Sequence, residues 1–370
     1  MTRLTCLFAA LPLFALGCPA ASAPSDDDDA TTDDDDATDD DDATDDDDAV
    51  ADDDAVADDD AVDDDDAVDD DDAAGPDPAD PGAYATTSSS ATYTSAGVSI
   101  PLALTLPDDP GPHPVVVFLH GFQLGPANYA SYANHVASWG YVVVMPELPG
   151  TLIIPVTHTA LATHVVDLLD WVDAQGADPN GPLLGRADAA SLALAGHSMG
   201  GKISMLVASS DARADAVFGI DPVDAGPPFT LTPDEYPSVA PELMSSITAP
   251  IGLVGETTNA TAGGLGQACA PADENFQQYY AAAAGPALEI EVPGAGHMSF
   301  QDDPNCGVCW TCPAGTDDPA VTLAGTRAWM TAFLEYTLRA DASFATWLTG
   351  AEMTADEAAG LAVARSKNAF

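Results

Sequence analysis

Gly196-His197-Ser198-Met199-Gly200 is the stretch of this sequence whose residue types and spacing are best suited to chemistry. Glycines on both sides of Ser198 let the chain turn tightly between a strand-like run, Leu192 to Ala195, and a helix-like one, Met199 to Ala208, as in a nucleophile elbow. Such a turn lifts the hydroxyl above a sheet edge at a helix N-terminus, where amides and dipole favour developing negative charge. A serine held this way attacks a carbonyl, and for that it needs a base, an acid to orient the base, and donors for the oxyanion. Without those partners the pattern would be only a glycine-rich strand-to-helix turn.

The base is expected beyond the last strand, after the nucleophile in chain order. His297, in Gly294-Ala295-Gly296-His297, fits that place. His197 lies inside the elbow and should point away from the serine, and His135 and His164 fall on predicted helices; these three read as structural or surface groups. His113 and His158 lie in expected loops with no motif around them. Two carboxylates compete for the acid: Asp221 at the end of the strand after the nucleophile strand, and Glu256 at the end of the next. Carboxyl ends of adjacent parallel strands share one rim, so either can reach His297. Asp224 is a weaker third, read as a solvated loop carboxylate. For the oxyanion, the amide of Met199 and that of Phe122, in His120-Gly121-Phe122 after the first parallel strand, are the expected pair. His120 is assigned to holding that loop by hydrogen bonds.

The elements that must position these groups alternate strand and helix. Apolar runs at Val115 to Leu119, Tyr141 to Met145, Leu192 to Ala195, Ala216 to Ile220 and Ile251 to Val254, together with Leu288 to Val292 in spite of its Glu289 and Glu291, predict strands buried on both faces, as parallel strands are. Helices are predicted between them at Ala127 to Trp139, Thr159 to Ala174, Met199 to Ala208, Asn275 to Ala283 and Leu323 to Leu338. Ala91 to Val98 and Ile100 to Leu106 read as an antiparallel N-terminal hairpin, and the stretch after Asp341 as one more helix. The expected class is α/β, a mostly parallel sheet with helices on both faces, over residues 84–370.

Composition restricts the partners. The net charge is −53, and 30 of the 61 acidic residues lie between Asp26 and Asp72; from Ala73 onward 31 acidic side chains face seven basic ones, a net of −24. No basic surface is available to displace phosphate counterions, which disfavours nucleic acid. The Asp repeats contain no aromatic residue and cannot bury enough apolar area to offset their ordering entropy, so residues 19–83 read as a disordered acidic linker. Clustered carboxylates admit calcium, but no spaced ligand loop of the EF-hand kind is present. Arg3 followed by the apolar run Leu7 to Leu16 reads as a signal peptide over residues 1–18. It ends in Ala15-Leu16-Gly17-Cys18, similar to a bacterial lipobox, so Cys18 is the expected lipidation site and the membrane a partner through that anchor. Ordinary cleavage near Ala21 or Ala23 is the alternative. The expected location is the cell envelope, and the expected form a monomer.

Beyond the export segment with Cys6 and Cys18, four cysteines remain: Cys269, Cys306, Cys309 and Cys312. In an exported protein they predict two disulfides, and in every connectivity Cys269 must bond a member of the later cluster. A four-thiolate zinc site is the alternative reading; no metal or cofactor is otherwise expected.

These motifs in this order resemble chlorophyllase and its bacterial relatives among the α/β-hydrolases. The resemblance rests on Leu119-His120-Gly121-Phe122, Gly196-His197-Ser198-Met199-Gly200-Gly201-Lys202 and Gly219-Ile220-Asp221-Pro222-Val223-Asp224. It extends to Gly264-Leu265-Gly266 with Cys269-Ala270-Pro271, and to Gly296-His297-Met298 with Asp302-Asp303. In that family the aspartate before Pro-Val completes the triad, which implies Asp221. Plant chlorophyllases usually carry arginine where Met199 stands; methionine there also resembles polyester hydrolases and perhydrolases. The resemblance therefore implies a broad carboxylic ester hydrolase acting on small or lipid-like esters. Thioester, lactone or peroxyacid chemistry suits the same residues, and a catalytically inert binding module is the rival of a different class.

Overall fold

The computed structural model describes residues 75–151, 153–226, 234–261, 268–307 and 309–370. The expected signal peptide with Cys18, the Asp repeats and Gly264-Leu265-Gly266 lie outside these residues. Nine strands form one sheet in the order β1-β2-β4-β3-β5-β6-β7-β8-β9. They are β1 Thr86–Ser95, β2 Val98–Pro107, β3 His113–Leu119, β4 Val142–Pro146, β5 Ala187–His197, β6 Ala216–Ile220, β7 Ile251–Gly255, β8 Ala287–Glu291 and β9 Val363–Lys367. The strands from β4 to β8 are mutually parallel, and the edges at β1-β2 and β9 are antiparallel. This is the α/β-hydrolase arrangement.

Continuous apolar strands need cover on both faces, and the helices supply it. Helices α2 His158–Ala177, α3 Met199–Ala208 and α4 Phe276–Ala282 pack on one face; α1 Ala130–Ser138 and α5 Pro319–Leu338 pack on the other. Within β3, Val115, Val117 and Leu119 enter the first core while Val116 and Phe118 enter the second, the period of two that a strand imposes. All five are at most 1% exposed, so none of these five positions was available for a polar residue.

Four boundaries differ from the expectation. Residues 78–82, read as the end of the linker, lie against α1: His135 Nε2 bonds the Pro78 carbonyl at 2.9 Å and Gly82 N donates to Ser138 Oγ at 2.8 Å. The first hairpin strand starts at Thr86, because backbone pairing with β2 carries its polar Thr-Thr-Ser-Ser-Ser end without an apolar pattern. His158, expected in a loop, is the first residue of α2 behind a Thr157 cap. Past Asp341 the chain forms two short helices, α6 Thr346–Thr349 and α7 Ala351–Ala358, and then β9. The strand Val-Ala-Arg-Ser-Lys has no strand-like hydropathy; β8 templates it, and Arg365 Nε donates to the buried Glu289 carboxylate opposite it at 2.7 Å.

Candidate active site

Ser198 occupies φ +55°, ψ −120°, a strained conformation between β5 and α3. The turn is held by Ser198 N donating to the Ile220 carbonyl at 2.9 Å. A Cβ on Gly200 would lie 2.1 Å from the Leu119 carbonyl oxygen, and one on Gly196 2.6 Å from the same atom. Glycine is therefore required at both flanks by close approach of β3, which is the steric content of the motif.

His297 opens a 3-10 turn, His297–Phe300, beyond β8. Its Nε2 is 2.9 Å from Ser198 Oγ and its Nδ1 2.6 Å from Asp221 Oδ2. Burial depresses the imidazole pKa to about 4, so at neutral pH it is uncharged and available to accept a proton. Asp221 is fully buried at φ +40°, with its amide donating to Val254 O at 2.6 Å and its Oδ1 accepting from Glu256 N at 3.2 Å. The hydroxyl, imidazole and carboxylate, from three distant parts of the chain, thus form one hydrogen-bonded relay at the carboxyl rim of the sheet.

Glu256 is equally buried, but its Oε2 accepts from Asn259 N at 2.7 Å and makes no hydrogen bond to the imidazole ring. Asp224, expected as a solvated carboxylate, is instead 7% exposed. It accepts from Val239 N at 2.9 Å, Ala240 N at 3.0 Å and Ser238 Oγ at 2.7 Å, and pairs with the buried ammonium of Lys202 at 3.2 Å. The nearby buried cation made a buried anion tolerable, and its role is to pin the loop before residue 241.

Met199 and Phe122 both lie at the mouth of the site. Met199 is the first residue of α3, so its amide has no carbonyl one turn earlier to bond. Phe122 sits in the turn after β3, and both residues line the cavity that Ser198 and His297 face. His120 donates from Nδ1 to the Gly121 carbonyl at 2.8 Å and accepts from Leu148 N on Nε2 at 2.9 Å, tying the turn to the segment after β4. Burial lowers its pKa, keeping it neutral for both bonds.

Two residues with no motif complete the frame. Tyr129 accepts from Gly121 N at 3.2 Å and lies 2.7 Å from His197 Nδ1; His197 Nε2 in turn is 3.0 Å from the His297 carbonyl. The buried His197 therefore bridges the oxyanion turn and the base loop, a strut rather than a bystander. Asn259 accepts from His297 N at 2.8 Å. Neither is detectable in sequence, since each acts through hydrogen bonds to residues far along the chain.

The cavity over Ser198 has a volume of about 200 Å³ and is also lined by His158, Glu274 and the Cys269 and Cys312 sulfurs' residues. Larger hollows of about 500 Å³ beside β2 and about 650 Å³ beside α5 contain none of the relay groups. Ligand atoms of Asp221, Glu256 and His297 lie within 4.8 Å of one another, a spacing compatible with a cation. In this structure His297 Nδ1 is hydrogen-bonded to Asp221 Oδ2 at 2.6 Å.

The four cysteines form Cys269–Cys312 and Cys306–Cys309, so all four sulfurs that zinc would have required are spent in disulfides. The first closes a separation of 43 residues and joins the segment after β7 to the one after His297. Chain entropy gives it about 4 kcal/mol of stability, against about 2 kcal/mol for the second, whose separation is 3. Replacing Cys269 and Cys312 together by serine should therefore lower the urea midpoint more than the Cys306 and Cys309 double replacement; equal shifts would contradict the assignment.

A family model, Chlorophyllase, matches residues 79–353. Chlorophyllase-2 of Arabidopsis thaliana is 29% identical over 214 residues, which cover 56% of this chain and 66% of the relative. Chlorophyllase-1 of the same plant is 28% identical over 210 residues, 55% of this chain and 64% of the relative. Chlorophyllase-1, chloroplastic, of Citrus unshiu is 30% identical over 204 residues, 55% and 60% respectively. The chain thus spans less than two thirds of the length of these curated relatives. Since the family match takes in the whole relay and well over half of the sequence, the chain belongs to the chlorophyllase family of α/β-hydrolases.

Proposed function

We propose that this protein hydrolyses carboxylic esters through an acyl-enzyme, with Ser198 as nucleophile, His297 as general base and Asp221 as the acid that orients it. The observation that carries this reading is the continuous relay from Ser198 Oγ through His297 to Asp221, with bonds of 2.9 and 2.6 Å. His297 takes the hydroxyl proton on Nε2 as Oγ attacks the ester carbonyl, and Asp221 steadies the imidazolium that forms. The carbonyl electron pair moves to oxygen, where the Phe122 and Met199 amides receive it. Collapse expels the alcohol with the proton from His297; water, deprotonated by the same imidazole, then releases the acid.

The cavity favours small substituents. The space over Ser198 is about 200 Å³, the smallest of the hollows described, and the acidic surroundings favour uncharged esters. The relatives are named chlorophyllases; for this chain we propose a broader esterase. The same reading includes a monomer exported and held at the cell envelope by lipid on Cys18, a location with which two disulfides are compatible.

A fluorophosphonate probe should label the protein, with the adduct mapping to Ser198, and a series of p-nitrophenyl esters should show turnover falling as the acyl chain lengthens. Absence of labelling in folded protein would leave an inert binding module. Thioesters and lactones in the same panel distinguish the neighbouring chemistries.

A further inference from the structure

Glu256 lies under the site and reaches the imidazole only through other residues. Its Oε2 accepts from Asn259 N at 2.7 Å, and Asn259 Oδ1 accepts from His297 N at 2.8 Å. Asn259 Nδ2 also donates to the Pro313 carbonyl at 3.1 Å, next to the bridged Cys312. The Glu256 carboxyl therefore fixes the turn that fixes the backbone of His297.

The electrostatics of this position are unusual. Glu256 is 0% exposed, and its ligand atom lies within 4.8 Å of those of Asp221 and His297. The charged or titratable groups facing it are Asp221, His297 and, farther off, Asp317, which accepts from Ser299 and Thr322 hydroxyls. Among the described residues no lysine or arginine forms an ion pair with Asp221, Glu256 or Asp317. Two buried carboxylates so close together, with only a neutral imidazole for company, cannot both ionise. Asp221 has the imidazole N–H as partner, whereas Glu256 Oε1 is buried and, among the described residues, has no hydrogen-bond partner. A bare charge on that oxygen costs more than an unpaired O–H.

We propose that Glu256 is a positioning residue that works as a neutral carboxylic acid, holding the Asn259–His297 clamp while leaving Asp221 the single charge beside the imidazole. Burial first, and then the Asp221 charge, push its pKa up to about 9, in agreement with that geometry. The sign for stability follows. Between about 4.5, the ordinary value, and about 9 the folded state holds a proton that the unfolded chain has lost, so stability falls as pH rises through this window. The kinetic part of the proposal rests on the ester-hydrolase reading; the stability part does not.

The experiment compares wild type, Glu256→Gln, Glu256→Ala and Asn259→Ala in the full chain, by thermal unfolding from pH 5 to pH 9 and by ester kinetics at pH 7. Glutamine keeps the carbonyl that Asn259 N needs and cannot ionise. Its melting temperature should match wild type near pH 5 and exceed it increasingly towards pH 9. Glu256→Ala and Asn259→Ala should each lower kcat by about 30-fold with little change in KM, as expected for a misplaced base, and glutamine should restore most of the loss. Parallel melting curves for wild type and Glu256→Gln would overturn the proposal, as would a kcat for Glu256→Gln as low as that of Asp221→Asn. If no ester is turned over by any variant, the esterase reading fails alone, and the melting curves still decide the protonation of Glu256.

Discussion

Ser198→Ala is expected to lower kcat for an activated ester by about 10⁴- to 10⁶-fold while leaving the fold intact. In the proposed mechanism the hydroxyl oxygen is the one atom of the site that bonds the acyl group; the amides proposed for the oxyanion and the cavity remain and would supply the residual rate. Removal of Oγ costs little structurally, because the elbow is held by the Ser198 amide and by its glycine neighbours rather than by the side chain. The check is a pair of measurements: single-turnover kinetics with active-site titration to exclude contamination, and thermal unfolding. A variant that melts like wild type and retains more than about a tenth of its activity would remove Ser198 from the chemistry.

The second large effect is expected at Asp221. Asp221→Asn should lower kcat by about 10⁴-fold, because an amide at this position presents the imidazole with the wrong tautomer and cannot stabilise its positive charge. Asparagine tolerates the left-handed backbone at φ +40°, so the change alters charge with little strain. The comparison with Glu256→Gln is decisive. Asp221 bonds Nδ1 directly at 2.6 Å, whereas Glu256 acts through Asn259, and the loss at Asp221 should be larger by about a few thousand-fold. The reverse ranking would make Glu256 the acid and would require the His297 ring to turn in the working enzyme.

The same comparison shows where sequence reading is strong and where it ends. Parallel strands buried on both faces leave an unmistakable trace, since every position must be apolar; β3, β4 and β6 are visible as such runs. The β9 edge strand has no such trace. Only one of its faces meets the sheet, and its arginine is there to meet Glu289. Asp224 was misread for a related reason: a carboxylate in a loop looks solvated until Lys202, 22 positions earlier, is found beneath it.

What the sequence determined by itself was the tight turn at Ser198, the place of His297 beyond the last parallel strand and the sheet that carries both, because elbow glycines and apolar runs are local requirements of backbone sterics and burial. Which carboxylate meets the imidazole was not local. Asp221 and Glu256 end adjacent parallel strands, and from residue types and spacing alone either reaches the same rim; family resemblance favoured Asp221, but only the direction of each side chain in space separates them. The roles of Tyr129, His197 and Asn259 were likewise decided by the tertiary structure. Each depends on hydrogen bonds spanning 38 to 100 positions of chain, and such bonds exist only once the strands have set both partners in place.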